Sequence, residues 1–143
     1  MKDFMKCTRK EQIARWENVL RVLQSLTPHQ RRKHFDMSQW GYKNDCGTIA
    51  CAAGHCSFDP WFRRRGFKGK LVAIPGYCGS EPELRFDDGS VNGVWMENVI
   101  ERFFGPTEGD DSKDHIFSNE TPRSVGVVIR EVKARIKAMT TNR

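Results

Sequence analysis

The sequence predicts a mainly helical α+β protein, a compact helical domain with a small β-hairpin, and three observations carry that prediction. Apolar residues recur at helical spacing in three stretches, 13–26, 91–104 and 125–139. Two short runs of strand-forming residues, Lys70–Ile74 and Glu83–Phe86, flank a loop that holds Cys78, Gly79 and Pro82, the pattern of a hairpin. The composition is 38% hydrophobic with nine Phe and four Trp, enough for a real core in 143 residues. A chain of this length buries roughly two-thirds of its unfolded surface as a single domain, without metal or disulfide staples.

In chain order, Thr8-Arg9-Lys10-Glu11 has the form of a capping box and opens a helix whose apolar face is Ile13, Trp16, Leu20, Leu23 and Leu26. Thr27-Pro28 sets a cap and a first-turn proline before a short basic helix, Pro28 to about Lys33. Phe35 to Asp45 reads as an irregular crossing anchored by Met37 and Trp40. Thr48 is read as the cap of a short helix over Ile49 to Ala53 that ends at Gly54, which places Cys46 at the positive end of that helix. Asp59-Pro60 opens a further turn that stops at Gly66. After the hairpin, Ser90 is read as the cap of a helix with Val91, Trp95, Met96, Val99, Ile100, Phe103 and Phe104 on its core face, ended by Gly105-Pro106. Beyond the acidic loop Glu108–Asp114, Thr121-Pro122 opens the terminal helix with Val125, Val128, Ile129, Val132, Ile136 and Met139 on one side.

No apolar run reaches the roughly 18 residues that a membrane-spanning helix needs, and the first residues lack the apolar core of a secretory signal, so a cytoplasmic protein with no membrane partner is expected. The five cysteines are odd in number and unevenly spaced, which fits reduced thiols better than a disulfide framework. The formal charge of +6 concentrates at Arg31-Arg32-Lys33-His34 and at Arg63-Arg64-Arg65 with Lys68 and Lys70. Such clusters suit phosphate or an acidic protein surface. No phosphate-binding glycine loop is present, and the acidic loop lacks the ligand spacing of an EF-hand.

Residues 45–56, Asp-Cys-Gly-Thr-Ile-Ala-Cys-Ala-Ala-Gly-His-Cys, crowd three cysteines and a histidine into one segment. Cys46, Cys51, His55 and Cys56 are acceptable zinc ligands, but no paired Cys-x-x-Cys knuckle is present, and a helix ended at Gly54 spoils the shared face of Cys51 and His55. The expectation is therefore no cofactor, with the thiols filling small buried spaces. A cysteine hydrolase would need Cys46 as thiolate, His115 as base and Asp114 or Asp36 as orienter. For the basic run, Arg63, Arg64, Arg65, Phe67, Lys68 and Lys70 combine cations with an aromatic, as a phosphate-and-stacking surface requires.

Phe35-Asp36-Met37 with Trp40, Cys46-Gly47-Thr48 with Ala50-Cys51 and Gly54, Phe103-Phe104-Gly105, His115-Ile116-Phe117 and Thr121-Pro122 before a helix form a combined pattern. It resembles a family of small uncharacterised proteins of bacteriophages and bacteria, and the resemblance spans nearly the whole chain. The chain departs from that family at His55, where an aromatic is frequent, and at Cys56, where a small residue is frequent. The resemblance implies a compact, mainly helical fold and a phage or bacterial origin, and it brings no activity. With analogy as its warrant, the expected function is a non-catalytic, phage-encoded accessory or counter-defence protein that binds a bacterial host protein in the host cytoplasm through the Arg63–Lys70 patch. The alternatives are nucleic-acid binding through the same patch and the Cys46/His115 hydrolase.

Overall fold

The computed structural model describes residues 1–44, 47–73, 81–106, 116–118 and 122–141. A 3-10 turn, Phe4–Lys6, precedes helix α1, Arg9–Ser25, which starts where the capping signal puts it, with Thr8 Oγ1 accepting from Glu11 N at 3.2 Å. Helix α2, Pro28–Lys33, follows after the expected cap, and α3, Ala52–Phe58, and α4, Pro60–Arg64, form a bent pair joined at Asp59. Asp59 caps α4 by accepting from Trp61 N at 3.0 Å, and its carboxylate also holds Arg21 of α1 at 2.7 Å. Helix α5 is Glu97–Phe104 and α6 is Val125–Thr141.

The fold is mixed α+β rather than mainly α. The predicted hairpin is part of a four-stranded antiparallel sheet: β1, Gly41–Asn44; β2, Gly47–Ala50; β3, Gly69–Val72; and β4, Glu83–Phe86, in the order β2-β1-β4-β3. Strands β1 and β2 replace the irregular crossing and the helix that was expected from Thr48. Gly47, at φ +113, lets the chain turn back so that Gly41–Asn44 pairs along its length with Gly47–Ala50. The helix then begins at Ala52, capped by Cys51, whose Sγ accepts from Gly54 N at 3.5 Å. It runs through Gly54 instead of ending there. A Cβ on Gly54 would lie 2.2 Å from the Trp40 carbonyl oxygen and 2.7 Å from Ala50 Cβ, so this glycine serves close packing of α3 on the sheet.

Two other boundaries move. Helix α5 starts at Glu97 rather than just after Ser90, because short polar side chains capture the preceding backbone. Asp87 Oδ1 accepts from Gly89 N at 3.1 Å, Asp88 Oδ1 accepts from Ser90 N at 2.9 Å, and Val94 bridges back to Phe86. Val91 and Trp95, assigned to the core from the sequence, are exposed as a result. Helix α6 is capped by Ser124, whose Oγ accepts from Val127 N at 3.3 Å, three residues beyond the predicted Thr-Pro start.

The core is rich in aromatics. Trp16 stacks on Phe117 with ring centroids 5.4 Å apart, Phe104 touches both, and Phe62, Phe67 and Phe103 extend the cluster toward the sheet. Arg15 is buried among them at 1% exposure, although it lies outside the apolar face of α1 read from sequence. Its guanidinium lies 4.0 Å above the Phe103 ring and donates to the carbonyls of Phe103 at 2.8 Å and Lys2 at 3.0 Å. Phe103 O belongs to the last turn of α5, so Arg15 satisfies a carbonyl that helix geometry leaves open. Among the described residues no helix is long and apolar enough to cross a membrane.

Candidate functional site

The cysteine and histidine segment packs the interior. Cys51 and Cys56 are fully buried, and desolvation pushes the Cys51 thiol up to about 11 and the Cys56 thiol well above its ordinary value. Burial thus favours the protonated thiol at both positions, and the thiolate is the form that attacks carbonyls. The His55 imidazole donates from Nε2 to the His34 carbonyl at 2.7 Å and stacks on Phe35, and burial pulls its pKa below the ordinary histidine value. Among the described residues no three His, Cys, Asp or Glu side chains converge as a metal site would require. Cys46, the fourth ligand considered for zinc, lies outside the described residues, as do His115, Asp114 and Cys78. Asp36, the other orienter considered, accepts from Ser38 N at 2.8 Å and Ser38 Oγ at 2.6 Å, a local turn of the Asx type.

What the segment positions is α2. Its C-terminal neighbour His34 donates from Nδ1 to Thr48 O at 2.9 Å, its carbonyl accepts from Ala50 N at 3.1 Å and from His55, and Gly47 leaves room for its ring. At the other end Thr27 and Gln30 form a complete capping box, and Pro28 occupies the first turn. Arg31 turns back, its Nε donating to Leu26 O at 3.1 Å at the end of α1. No residue of α2 is buried.

The Arg63–Lys70 run does not form one surface, which corrects the picture drawn from sequence. Arg63 Nη1 donates to Gly69 O at 2.9 Å and Ser57 O at 3.2 Å and so staples α3 and α4 to β3. Arg65 lies 3.6 Å above the Trp61 ring, bonds Trp61 O at 3.1 Å and pairs with Glu11 at 3.4 Å. Phe67 is 0% exposed and belongs to the aromatic core, so it offers no face to a base. Lys70 bonds the Ser90 carbonyl and lies 3.7 Å from Asp87. Arg64 and Lys68 are the exposed members whose side chains make no hydrogen bond or ion pair among the described residues. The reason is geometric: successive helical residues turn by about 100°, so three arginines in a row cannot share a face.

A different surface lies on the sheet. Tyr42, Glu83, Arg85, Lys70 and Val72 share the face turned away from α3, as the pairs Tyr42↔Glu83, Lys70↔Arg85 and Val72↔Glu83 require. The loop before α5 is pressed onto this face. Gly93, at φ +63, is so close that a Cβ there would lie 2.8 Å from Arg85 Cβ and from Phe86 O. Trp95, 44% exposed, is stacked at 3.4 Å on the buried Arg85 guanidinium, and Val91, 90% exposed, stands at the loop tip. Sequence reasoning missed this surface. The signal was present in Gly93, a turn former inside the stretch read as helix, next to the Asp87-Asp88-Gly89 turn that precedes it.

The fold is a mixed α+β one that presents an exposed Trp95 stacked on the buried Arg85 and a short cationic helix, α2, with no buried residue. No protein-family model matches the chain, and no curated protein or solved structure matches it either.

Proposed function

We propose that the protein is a phage-encoded accessory or counter-defence protein that acts in the host cytoplasm by binding a bacterial host protein, without catalysing a reaction. The observation that carries this reading is the Val91–Trp95 loop, an exposed tryptophan seated on a buried arginine at a loop held down by Gly93 and by the Lys70 bond to Ser90. Tryptophan and arginine dominate binding energy at protein interfaces. A tryptophan already fixed by stacking has little rotamer freedom left to lose on binding. The phage setting comes from the sequence resemblance.

The test is affinity capture of the tagged protein from bacterial lysate, with and without nuclease, beside the double variant Val91→Ser/Trp95→Ala. One near-stoichiometric host protein that survives nuclease, and whose retention falls by about tenfold or more in the variant, is the expected result. Equal retention by the variant removes the loop as the interface. Retention only of nucleic-acid-associated proteins, lost on nuclease treatment, sinks the protein-binding reading in favour of nucleic-acid binding.

A further inference from the structure

We infer that α2 is a second binding surface, separate from the Trp95 loop, and that its ligand is the phosphate backbone of duplex DNA. A helix of six residues cannot persist by propensity alone, since isolated helices shorter than about 12–15 residues are marginal in water. Helices this short are normally held by a buried face, and α2 has none. It is held by its ends, through the Thr27/Gln30 capping box, Arg31 bonded to Leu26 O, and His34 pinned between Thr48 O and the Ala50 and His55 donors. The most distinctive motif of the chain thus fixes the orientation of an element that adds nothing to the core.

The side chains so presented decide the ligand. With Arg31 bonded back to the end of α1, the exposed Arg32 and Lys33 side chains make no hydrogen bond or ion pair among the described residues, and His29 stands exposed beside them, its ring in a T-shaped contact with His34. Beyond Pro28, the helix Pro-His-Gln-Arg-Arg-Lys offers only polar and cationic side chains, so it presents charge without the apolar centre from which charged residues are depleted at protein interfaces. It also contains no phenyl or indole ring on which an unstacked base would sit, as single-strand binders require. Cations and hydrogen-bond donors on a rigid, protruding helix are what phosphate contacts on a duplex need. A helix, about 10–12 Å across with its side chains, is admitted by the B-form major groove, about 12 Å wide, and not by the deep, narrow major groove of duplex RNA.

The experiment is fluorescence anisotropy of a labelled DNA duplex of about 20 base pairs, titrated with the full chain between about 25 and 150 mM salt. Arg32→Glu/Lys33→Glu is compared with Arg64→Glu/Lys68→Glu, which changes net charge equally at another exposed place. The expected result is wild-type binding that weakens with salt, weakened about tenfold or more by the α2 variant with the log–log salt slope reduced by about 2, and changed less than about threefold by the control. No binding at low salt overturns the inference. So does equal weakening by both variants, since net charge alone then explains it, and so does tighter binding of a single strand or of duplex RNA of the same length. Loss of a nuclease-resistant host protein in the α2 variant would assign the helix to a protein partner instead. None of these outcomes depends on the Trp95 loop, so the two proposals stand or fall separately.

Discussion

Gly54 sits inside a helix, where glycine costs about 1 kcal/mol relative to alanine, and the structure accepts that cost because the Trp40 carbonyl occupies the place of a Cβ. A backbone oxygen between two packed elements cannot move aside as a side-chain tip can. Gly54→Ala should therefore destabilise the protein by about 2 kcal/mol despite its better helix propensity, read as a lower urea midpoint at unchanged slope. A neutral or stabilising result would mean that α3 can lift from the sheet. His55 makes a pH-dependent contribution. Burial lowers its folded pKa below the unfolded value of about 6.5, so between the two values the unfolded chain binds more protons. The contribution is fully present above about pH 6.5 and is lost as pH falls through that value to the folded pKa. The measurement is the stability of wild type and His55→Gln at about pH 7.5 and 5.5, and the wild type should lose more stability over this interval than the variant. Equal losses would show that His55 is not the titrating group.

At the scale of elements, helices announced by caps and periodicity were legible: α1 and α2 begin after Thr8 and Thr27 as their sequences indicate. The failures share one cause. The stretches 47–50 and 91–96 were read as helix, and long-range pairing of 47–50 with 41–44 and of Val94 with Phe86 decided otherwise. Just before 91, Asp87 and Asp88 also competed locally for backbone donors. Helix α2 offers a test of how an element is held. Because it buries no residue, Thr27→Ala should cost about 1 kcal/mol locally. That loss should appear as faster amide exchange over 28–34, with little change in the protection of α1 and α6. Loss of protection throughout the protein would show that α2 is coupled to the core.

At the scale of the whole molecule, the hydrophobic pattern determined that a core would form and named most of its members, from Trp16 and Leu23 to Phe103, Phe104, Val128 and Val132. It also identified the paired capping residues and the buried character of Cys51 and Cys56, properties set by side-chain chemistry and near neighbours in the chain. Which polar groups are buried and which apolar ones are exposed was decided only by tertiary structure. Arg15 goes inside because carbonyls of Lys2 and Phe103, 13 and 88 residues away, meet it there. Trp95 stays outside because Arg85, on a neighbouring strand, supplies the surface on which it stacks. The same holds for the basic run, since Arg63, Arg65 and Lys70 find partners at Gly69, Glu11 and Ser90 once the chain has folded. Periodicity records which face of an element avoids water. The pairing of a charge or a ring is a property of two distant segments brought together, and a linear sequence holds no direct record of that distance.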